Sequence, residues 1–217
     1  MERALKKLSY YNCSDGYICL NENEITDKVL FELQEKIESL INPKRLTLYY
    51  NYTLTTIPNF NLSTLTHLDV SACNLSTVPN LDNLVSLEHL DLGYNRLKTI
   101  PNFDLPNLIC LDVGLNELTC VSHLTKLPKL RVLCVNHNPL SWDETMPLLV
   151  YKSNPSVDKF ILSVSKNQLD NIHYYIERDL EHIYLTGDDG GVKDIAKEIQ
   201  EQNKDNKIPS YQKSVQF

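Results

Sequence analysis

Three aspartates and two histidines recur at nearly fixed spacing and are the residues of this chain best placed to do chemistry. Asp69, Asp91 and Asp112 are separated by 22 and 21 residues, and His67 and His89 each stand two positions before an aspartate. Carboxylates beside imidazoles can hold a divalent metal ion, so one hypothesis is a metal-dependent hydrolase that uses His67, Asp69, His89 and Asp91. The other hypothesis is a binding surface of unpaired carboxylates, with the histidines as their counterions.

The segments around these residues repeat one pattern. The strings LTHLDV, LEHLDL, LICLDV and LRVLCV begin at Leu65, Leu87, Leu108 and Leu130, in steps of 22, 21 and 22 residues. Three residues after each string stand Cys73, Asn95, Asn116 and Asn138, and two residues further on stand Leu75, Leu97, Leu118 and Leu140. A period of this length is typical of a stacked solenoid.

Elementary geometry says what such a repeat builds. Apolar residues two apart on a strand point to the same side, so they form the core, and the residues beside them face outward. The asparagine follows where the chain turns, and its amide can both donate to and accept from buried backbone groups. We therefore expect parallel strands stacked in register, with a column of asparagines that is weakest at Cys73.

The motif LxxLxLxxNxL, with cysteine allowed for asparagine, resembles that of the leucine-rich repeat family. The resemblance implies an α/β, right-handed solenoid with parallel strands on its concave face and mixed helical and extended segments on its convex side. Weaker repeats at Ile18, Leu46, Leu162 and Ile183 extend the pattern to about eight strands. The corresponding division is an amino-terminal cap at 1–16, the solenoid at 17–188, a capping helix at 189–203 and a mobile tail at 204–217.

The outer segments are predicted to differ from repeat to repeat. Thr26 can cap a helix that runs to about Ile41, with Leu30, Leu33, Ile37 and Ile41 along one stripe. In the next three repeats, Ile57-Pro58, Val78-Pro79 and Ile100-Pro101 favour extended or short 3₁₀ segments, because proline lacks a helical donor. Near the carboxyl end, a helical stripe begins at Val192 and predicts the capping helix.

The outward side chains indicate a partner-binding surface on the concave face. Aromatic and other side chains border the three aspartates, which suits a basic, partly apolar protein surface. Like charges about 5 Å apart repel, and this favours a binding role over a solvated strip that merely aids solubility. The predicted contact residues are Tyr49, Tyr50, His67, Asp69, His89, Asp91, Tyr94, Asp112, Leu115 and His137.

Composition limits the classes of partner and of activity expected for this chain. A net charge of −7 argues against nucleic acid or an anionic membrane as the partner. With six glycines and no phosphate-binding loop, neither an enzyme nor a cofactor is expected. Six scattered cysteines and no secretory signal predict thiols in the cytoplasm, or in the host cytoplasm for a chain from a pathogen or virus. The expected protein is a monomeric adaptor or regulatory module, with an effector-like role in a host cell as one form of it.

Overall fold

The computed structural model describes residues 2, 4, 6, 15–21, 25–121 and 127–140, together with the backbones of three later strands at 161–165, 182–186 and 192–194. Within these residues one sheet contains nine strands in chain order. They are β1 (Tyr17–Cys19), β2 (Arg45–Thr47), β3 (His67–Asp69), β4 (His89–Asp91), β5 (Cys110–Asp112), β6 (Val132–Cys134), β7 (Ile161–Ser165), β8 (His182–Thr186) and β9 (Val192–Asp194).

The first eight strands are parallel, as the repeat predicts. Ile18 pairs with Leu46, Leu133 with Leu162, and Leu162 with Ile183, so the weaker outer repeats are in the predicted register. β9 is different, because it runs antiparallel to β8. The capping helix predicted at 189–203 is therefore wrong for 192–194, and the rest of its span lies outside the described residues.

The core is built by the inward residues of each strand. One apolar residue lies at the middle of the strand and the next lies two positions later, and every member of these pairs is 2% exposed or less. Burying a leucine side chain contributes on the order of 2 kcal/mol, so each repeat adds its own share to the stability of the stack. The pairs are Ile18 and Leu20, Leu46 and Leu48, Leu68 and Val70, Leu90 and Leu92, Leu111 and Val113, and Leu133 and Val135.

The helix α1 (Asp27–Glu38) lies between β1 and β2. The Thr26 side chain caps it by accepting from the Val29 N–H, and Leu30, Leu33 and Ile37 are its buried residues. The helix ends three residues before the predicted Ile41, which is 74% exposed instead of completing the buried stripe. Ser39 caps this end, and the chain turns through a left-handed residue at Asn42 before Pro43.

The outer segments after β2, β3 and β4 contain no helix in the structure, in agreement with their prolines. Ile57 and Ile100 nevertheless turn inward and are almost completely buried, as are Phe60 and Phe103 further along the same segments. They give the extended outer wall an apolar lining without a helix. In the described part of the chain, no helix combines the length and apolar character needed to cross a bilayer.

The predicted asparagine column joins successive turns. The Asn116 amide donates to the carbonyls of Leu92, Val113 and Gly114, and its Oδ1 accepts from the Leu97 N–H at 3.0 Å. Each such asparagine thus bonds its own turn and the one before it. The same arrangement recurs at Asn51, Asn95 and Asn138.

Cys73 interrupts the column, and an extra residue in the preceding turn compensates. The Cys73 thiol donates long bonds to the carbonyls of Leu48 and Ser71, at 3.4 and 3.5 Å, and offers no amide oxygen to the turn before. The N–H that would need that oxygen belongs to Leu54, which lies one residue late relative to the other repeats. It donates to the Asn51 carbonyl at 2.8 Å instead. The one-residue bulge thus supplies the acceptor that Cys73 cannot provide.

Candidate functional site

The structure places the three predicted aspartates side by side. Thr47, Asp69, Asp91 and Asp112 occupy equivalent positions in β2 to β5 and pair in that order. Their side chains point away from the core, because Leu68, Leu90 and Leu111 alternate with them and point inward. We call Asp69, Asp91 and Asp112 the carboxylate row, and the outward side of β1 to β6 the strand face.

The carboxylates are not the unpaired groups that the sequence predicts. Asp91 Oδ1 accepts the Gly93 N–H at 2.9 Å, and Asp112 Oδ1 accepts the Gly114 N–H at 2.8 Å. Asp69 Oδ1 accepts both the N–H and the hydroxyl of Ser71. Each aspartate therefore also shapes the turn that ends its strand, with one carboxylate oxygen engaged in this way.

Two members of the carboxylate row, Asp91 and Asp112, are harder to ionise than free aspartates. Burial, followed by repulsion from Asp112 and Asp69, raises the pKa of Asp91 to about 7, although the Gly93 N–H bond opposes the shift. Burial also raises the pKa of Asp112, against the hydrogen bonds from Gly114 and Cys134. Part of the row is therefore protonated near neutral pH, so its total charge is less negative than that of three ionised carboxylates.

The histidines lie in a second row, which we call the histidine row and define as Arg45, His67, His89 and Cys110, the first residues of β2 to β5. The His67 and His89 rings stack with centroids 4.3 Å apart and planes 13° apart. The planes therefore face along the axis on which the strands stack. One face of the His89 ring meets His67, and the other is turned towards the position of Cys110.

Hydrogen bonds fix the tautomer of His67. Arg45 Nη2 donates to His67 Nε2 at 3.3 Å, because a guanidinium has no acceptor. The Nδ1 atom lies 2.8 Å from Thr66 Oγ1, which donates its own proton to the Lys44 carbonyl, so Nδ1 carries the ring proton. Burial, His89 and Arg45 all lower the pKa of His67. The predicted role of His67 as a counterion to the aspartates is thus wrong, since the ring is neutral and bonds to Arg45 and Thr66.

The structure does not support the metal-dependent hydrolase. His67 and His89 stack on each other, and His67 Nε2 already accepts from Arg45. Asp69 and Asp91 lie in the other row and hold turn N–H groups. Among the residues that the structure describes, no three His, Cys, Asp or Glu side chains are grouped to hold a metal ion.

Two thiols on the strand face, those of Cys110 and Cys134, are poor nucleophiles. Burial and the neighbouring carboxylates raise the pKa of Cys110 to about 11. Burial and Asp112 also raise the pKa of Cys134. A protonated thiol is a weak nucleophile, so the raised pKa values do not favour nucleophilic catalysis by either residue.

The predicted border residues share an unusual backbone conformation. Tyr50, Tyr94, Leu115 and His137 each stand one position before a column asparagine and have φ between 53° and 61°, in the left-handed region. This region costs a residue with a side chain roughly 1–2 kcal/mol, which the asparagine column must offset. Tyr50 and Tyr94 are about half or more exposed. We call these four residues the rim.

An aromatic cluster extends one end of the rim. Tyr49, which is half-buried, packs edge-on against Tyr50 at 4.9 Å between centroids, and Tyr52 lies 5.9 Å from Tyr50. Tyr52 is 55% exposed and was missed by the sequence analysis, because it falls on the extra residue of the bulge after Asn51. The rim is therefore more aromatic than the repeat pattern alone indicates.

A groove of about 590 Å³ runs across the strand face from β1 to β5. The carboxylate row and the histidine row form its two sides, and Tyr17, Arg45 and Cys110 are lining residues that the sequence analysis did not select. Arg45 gives one end a cation, while the other end holds Asp91 and Asp112. These residues occupy outward positions of the repeat, but the spacing of the repeat does not show which side chains they contact.

Comparison with known proteins agrees with this architecture. Residues 63–105 match the family model for leucine-rich repeats, with two copies. No curated protein sequence matches the chain. In a crystal structure of internalin C2 from Listeria monocytogenes str. 4b F2365, the similarity covers 85% of this chain and 91% of that one, at 21% identity and a TM-score of 0.51.

A second solved structure is the TLR13–ssRNA13 complex, which has a TM-score of 0.54 and 24% identity over 69% of this chain. The chain spans only 21% of the length of that protein. At these identities both likenesses concern the fold, in which parallel strands stack one repeat after another. Residues 63–105 therefore contain leucine-rich repeats, and the parallel strands and the asparagine column on either side of them continue the same stack.

Proposed function

We propose that this protein is a non-enzymatic interaction module that holds a basic, partly apolar partner protein on its strand face. The observation that carries the proposal is the register of the carboxylate row, which places three carboxylates on adjacent strands beside an aromatic rim. Proteins of this fold are typically binding modules, which agrees with a face built for contact. An adaptor or regulatory role follows, and in a host cell the same surface would serve an effector.

Charge supports a basic partner. The chain carries a net charge of −7, and the groove ends at two part-buried carboxylates. Their pKa values are raised because the ionised form is disfavoured in this groove. A cation beside these carboxylates would favour the ionised form, so their attraction for the cation would increase as the partner binds. Nucleic acid is disfavoured at the same place, since phosphates would meet the carboxylate row.

The rim supplies the apolar part of the contact. Tyr50 and Tyr94 are exposed, and the turn gives both the same left-handed backbone conformation. A tyrosine side chain has only two torsions to fix, so little conformational entropy is lost when a partner covers it. Tyrosines are enriched among the residues that dominate protein interfaces. The mixture of buried charge and aromatic rim thus suits a protein surface rather than a small polar solute.

The test removes charge without breaking the turns. Asp91→Asn with Asp112→Asn keeps an Oδ1 to accept the Gly93 and Gly114 N–H bonds. A lysine at either position would lose that acceptor. The control is Asp82→Asn with Asp104→Asn, which removes the same charge from exposed outer segments.

Wild type and both double variants would be immobilised and exposed to cell extract, and retained proteins identified by mass spectrometry. We expect a basic protein to be retained by wild type and by the control, and to be lost from the row variant. Equal retention by both double variants, with their folds verified by circular dichroism, would move the binding surface away from the carboxylate row.

A further inference from the structure

The groove has a vacant position, which is the space over Cys110 beside a stacked pair of histidine rings. Along the histidine row, the His67 ring stacks on that of His89 at 4.3 Å between centroids, and the Arg45 guanidinium donates to the edge of the His67 ring at Nε2. Neighbouring parallel strands lie about 4.8 Å apart, so a planar group at the equivalent position of β5 would continue the stack. On β5 that position holds Cys110, whose side chain carries a single sulfur beyond Cβ. The face of the His89 ring opposite His67 is therefore turned towards a small side chain that lines the groove.

Two carboxylates flank the same position. Asp91 and Asp112 stand two residues beyond His89 and Cys110 on the same strands and point to the same side. Their Oδ1 atoms accept the Gly93 and Gly114 N–H groups, and Asp112 also accepts from the Cys134 thiol. An ionised carboxylate has about four lone-pair sites, so both groups can still accept from a ligand. A ligand at the vacant position thus meets a ring face on one side and carboxylate oxygens at its edge.

We propose that the groove seats an arginine side chain of the partner protein, with its guanidinium stacked on His89 over Cys110 and hydrogen-bonded to Asp91 and Asp112. This inference rests on the proposed function and specifies the group that the face recognises. A guanidinium is flat, stacks on rings and donates from its edge to carboxylates. A lysine ammonium carries the charge but cannot stack. The groove therefore favours arginine over lysine, because it recognises a planar group as well as a positive charge.

Peptides of matched charge distinguish arginine from any cation. The full chain would be titrated by calorimetry with a capped peptide of Gly-Leu-Arg repeats, with its Gly-Leu-Lys counterpart and with a single-stranded RNA oligonucleotide. We expect the arginine peptide to bind at least ~10-fold more tightly than the lysine peptide. Equal affinity for the two peptides, no binding of the arginine peptide, or tighter binding of RNA would each overturn the inference.

A pair of substitutions at one position tests the stack. Cys110→Phe fills the vacant position with a ring, whereas Cys110→Ser keeps it open, and both side chains point out of the core. We expect the phenylalanine variant to lose ~10-fold or more in affinity for the arginine peptide and the serine variant to change by less than ~2-fold. If Cys110→Phe does not fold, His89→Ala removes the ring face and should lower the preference for arginine over lysine.

The two proposals fail differently. If Asp91→Asn with Asp112→Asn abolishes partner capture while Cys110→Phe and His89→Ala leave arginine binding unchanged, the stacked arginine is wrong and the strand face remains the interface. If the carboxylate variant still captures the partner, both proposals fall together.

Discussion

The pKa of Asp91 predicts a stability that depends on pH in a defined direction. Burial and the neighbouring aspartates raise this pKa from 3.8 to about 7. Between these values the folded chain binds more protons than the unfolded chain, so the free energy of unfolding falls as pH rises through this window. Below about pH 4 the carboxyl is protonated in both states and the penalty is absent.

The size of the effect follows from the shift. At ~1.4 kcal/mol for each pH unit, full ionisation of Asp91 would cost the folded state about 4 kcal/mol. Part of this cost is the repulsion between Asp91 and Asp112, which belongs to the pair, and water at the partly open site reduces the rest. We therefore expect about 2 kcal/mol to be attributable to Asp91. Asp91→Asn abolishes the ionisation and keeps an acceptor for the Gly93 N–H.

Urea unfolding at pH 4 and pH 8 measures this directly. We expect Asp91→Asn to be about as stable as wild type at pH 4 and about 2 kcal/mol more stable at pH 8. Asp82→Asn, which removes an exposed charge from an outer segment, should not reproduce the gain. An Asp91→Asn variant that is equally or less stable than wild type at pH 8 would show that ionised Asp91 does not destabilise the folded chain.

Three further predictions concern the repeat itself. Asn116→Ala leaves the buried Leu97 N–H without its acceptor and should lower the free energy of unfolding by about 3 kcal/mol, as measured by urea titration. Cys73→Asn should stabilise by less than about 1 kcal/mol, because the Leu54 N–H already has a backbone acceptor. Thr26→Ala removes the cap of α1 and should cost about 1 kcal/mol.

Each of these predictions has an outcome that contradicts it. A loss below about 0.5 kcal/mol in Asn116→Ala would show that the column adds little beyond the strand ladder. A gain in Cys73→Asn as large as the loss in Asn116→Ala would show that the bulge after Asn51 does not compensate for the cysteine. Thr26→Ala with unchanged stability would place the start of α1 under the control of packing instead of capping.

Sequence determines the strand register well, since one slip of a residue would expose every inward leucine. The pairing of Leu162 with Ile183 was predictable for that reason, even where the repeats are weak. The errors are at element ends. Ile41 continues the helical stripe by spacing. The helix nevertheless ends at Glu38, because the chain must leave helical geometry before the left-handed Asn42 and Pro43. A three-residue strand at Val192–Asp194 is too short for periodicity to distinguish from a helical turn.

The positions of the candidate site residues on adjacent strands were predictable from the sequence, but their contacts were not. Asp91 and Asp112 appeared as free charges, although the glycine two residues after each one was a signal for a turn that bonds the carboxylate. The neutral state of His67 depends on Arg45, which is 22 residues away in the chain and adjacent only once the strands stack. Contacts between repeats of this kind require the structure.

The proposed interface lies on the strand face and not on the outer side of the solenoid. A photo-crosslinking residue at Tyr94 samples the rim, and one at Phe31 samples the outward side of α1; the two native side chains are 63% and 49% exposed. We expect illumination in the presence of the captured protein to yield a crosslink from position 94 and none from position 31. A crosslink from position 31 alone would contradict it.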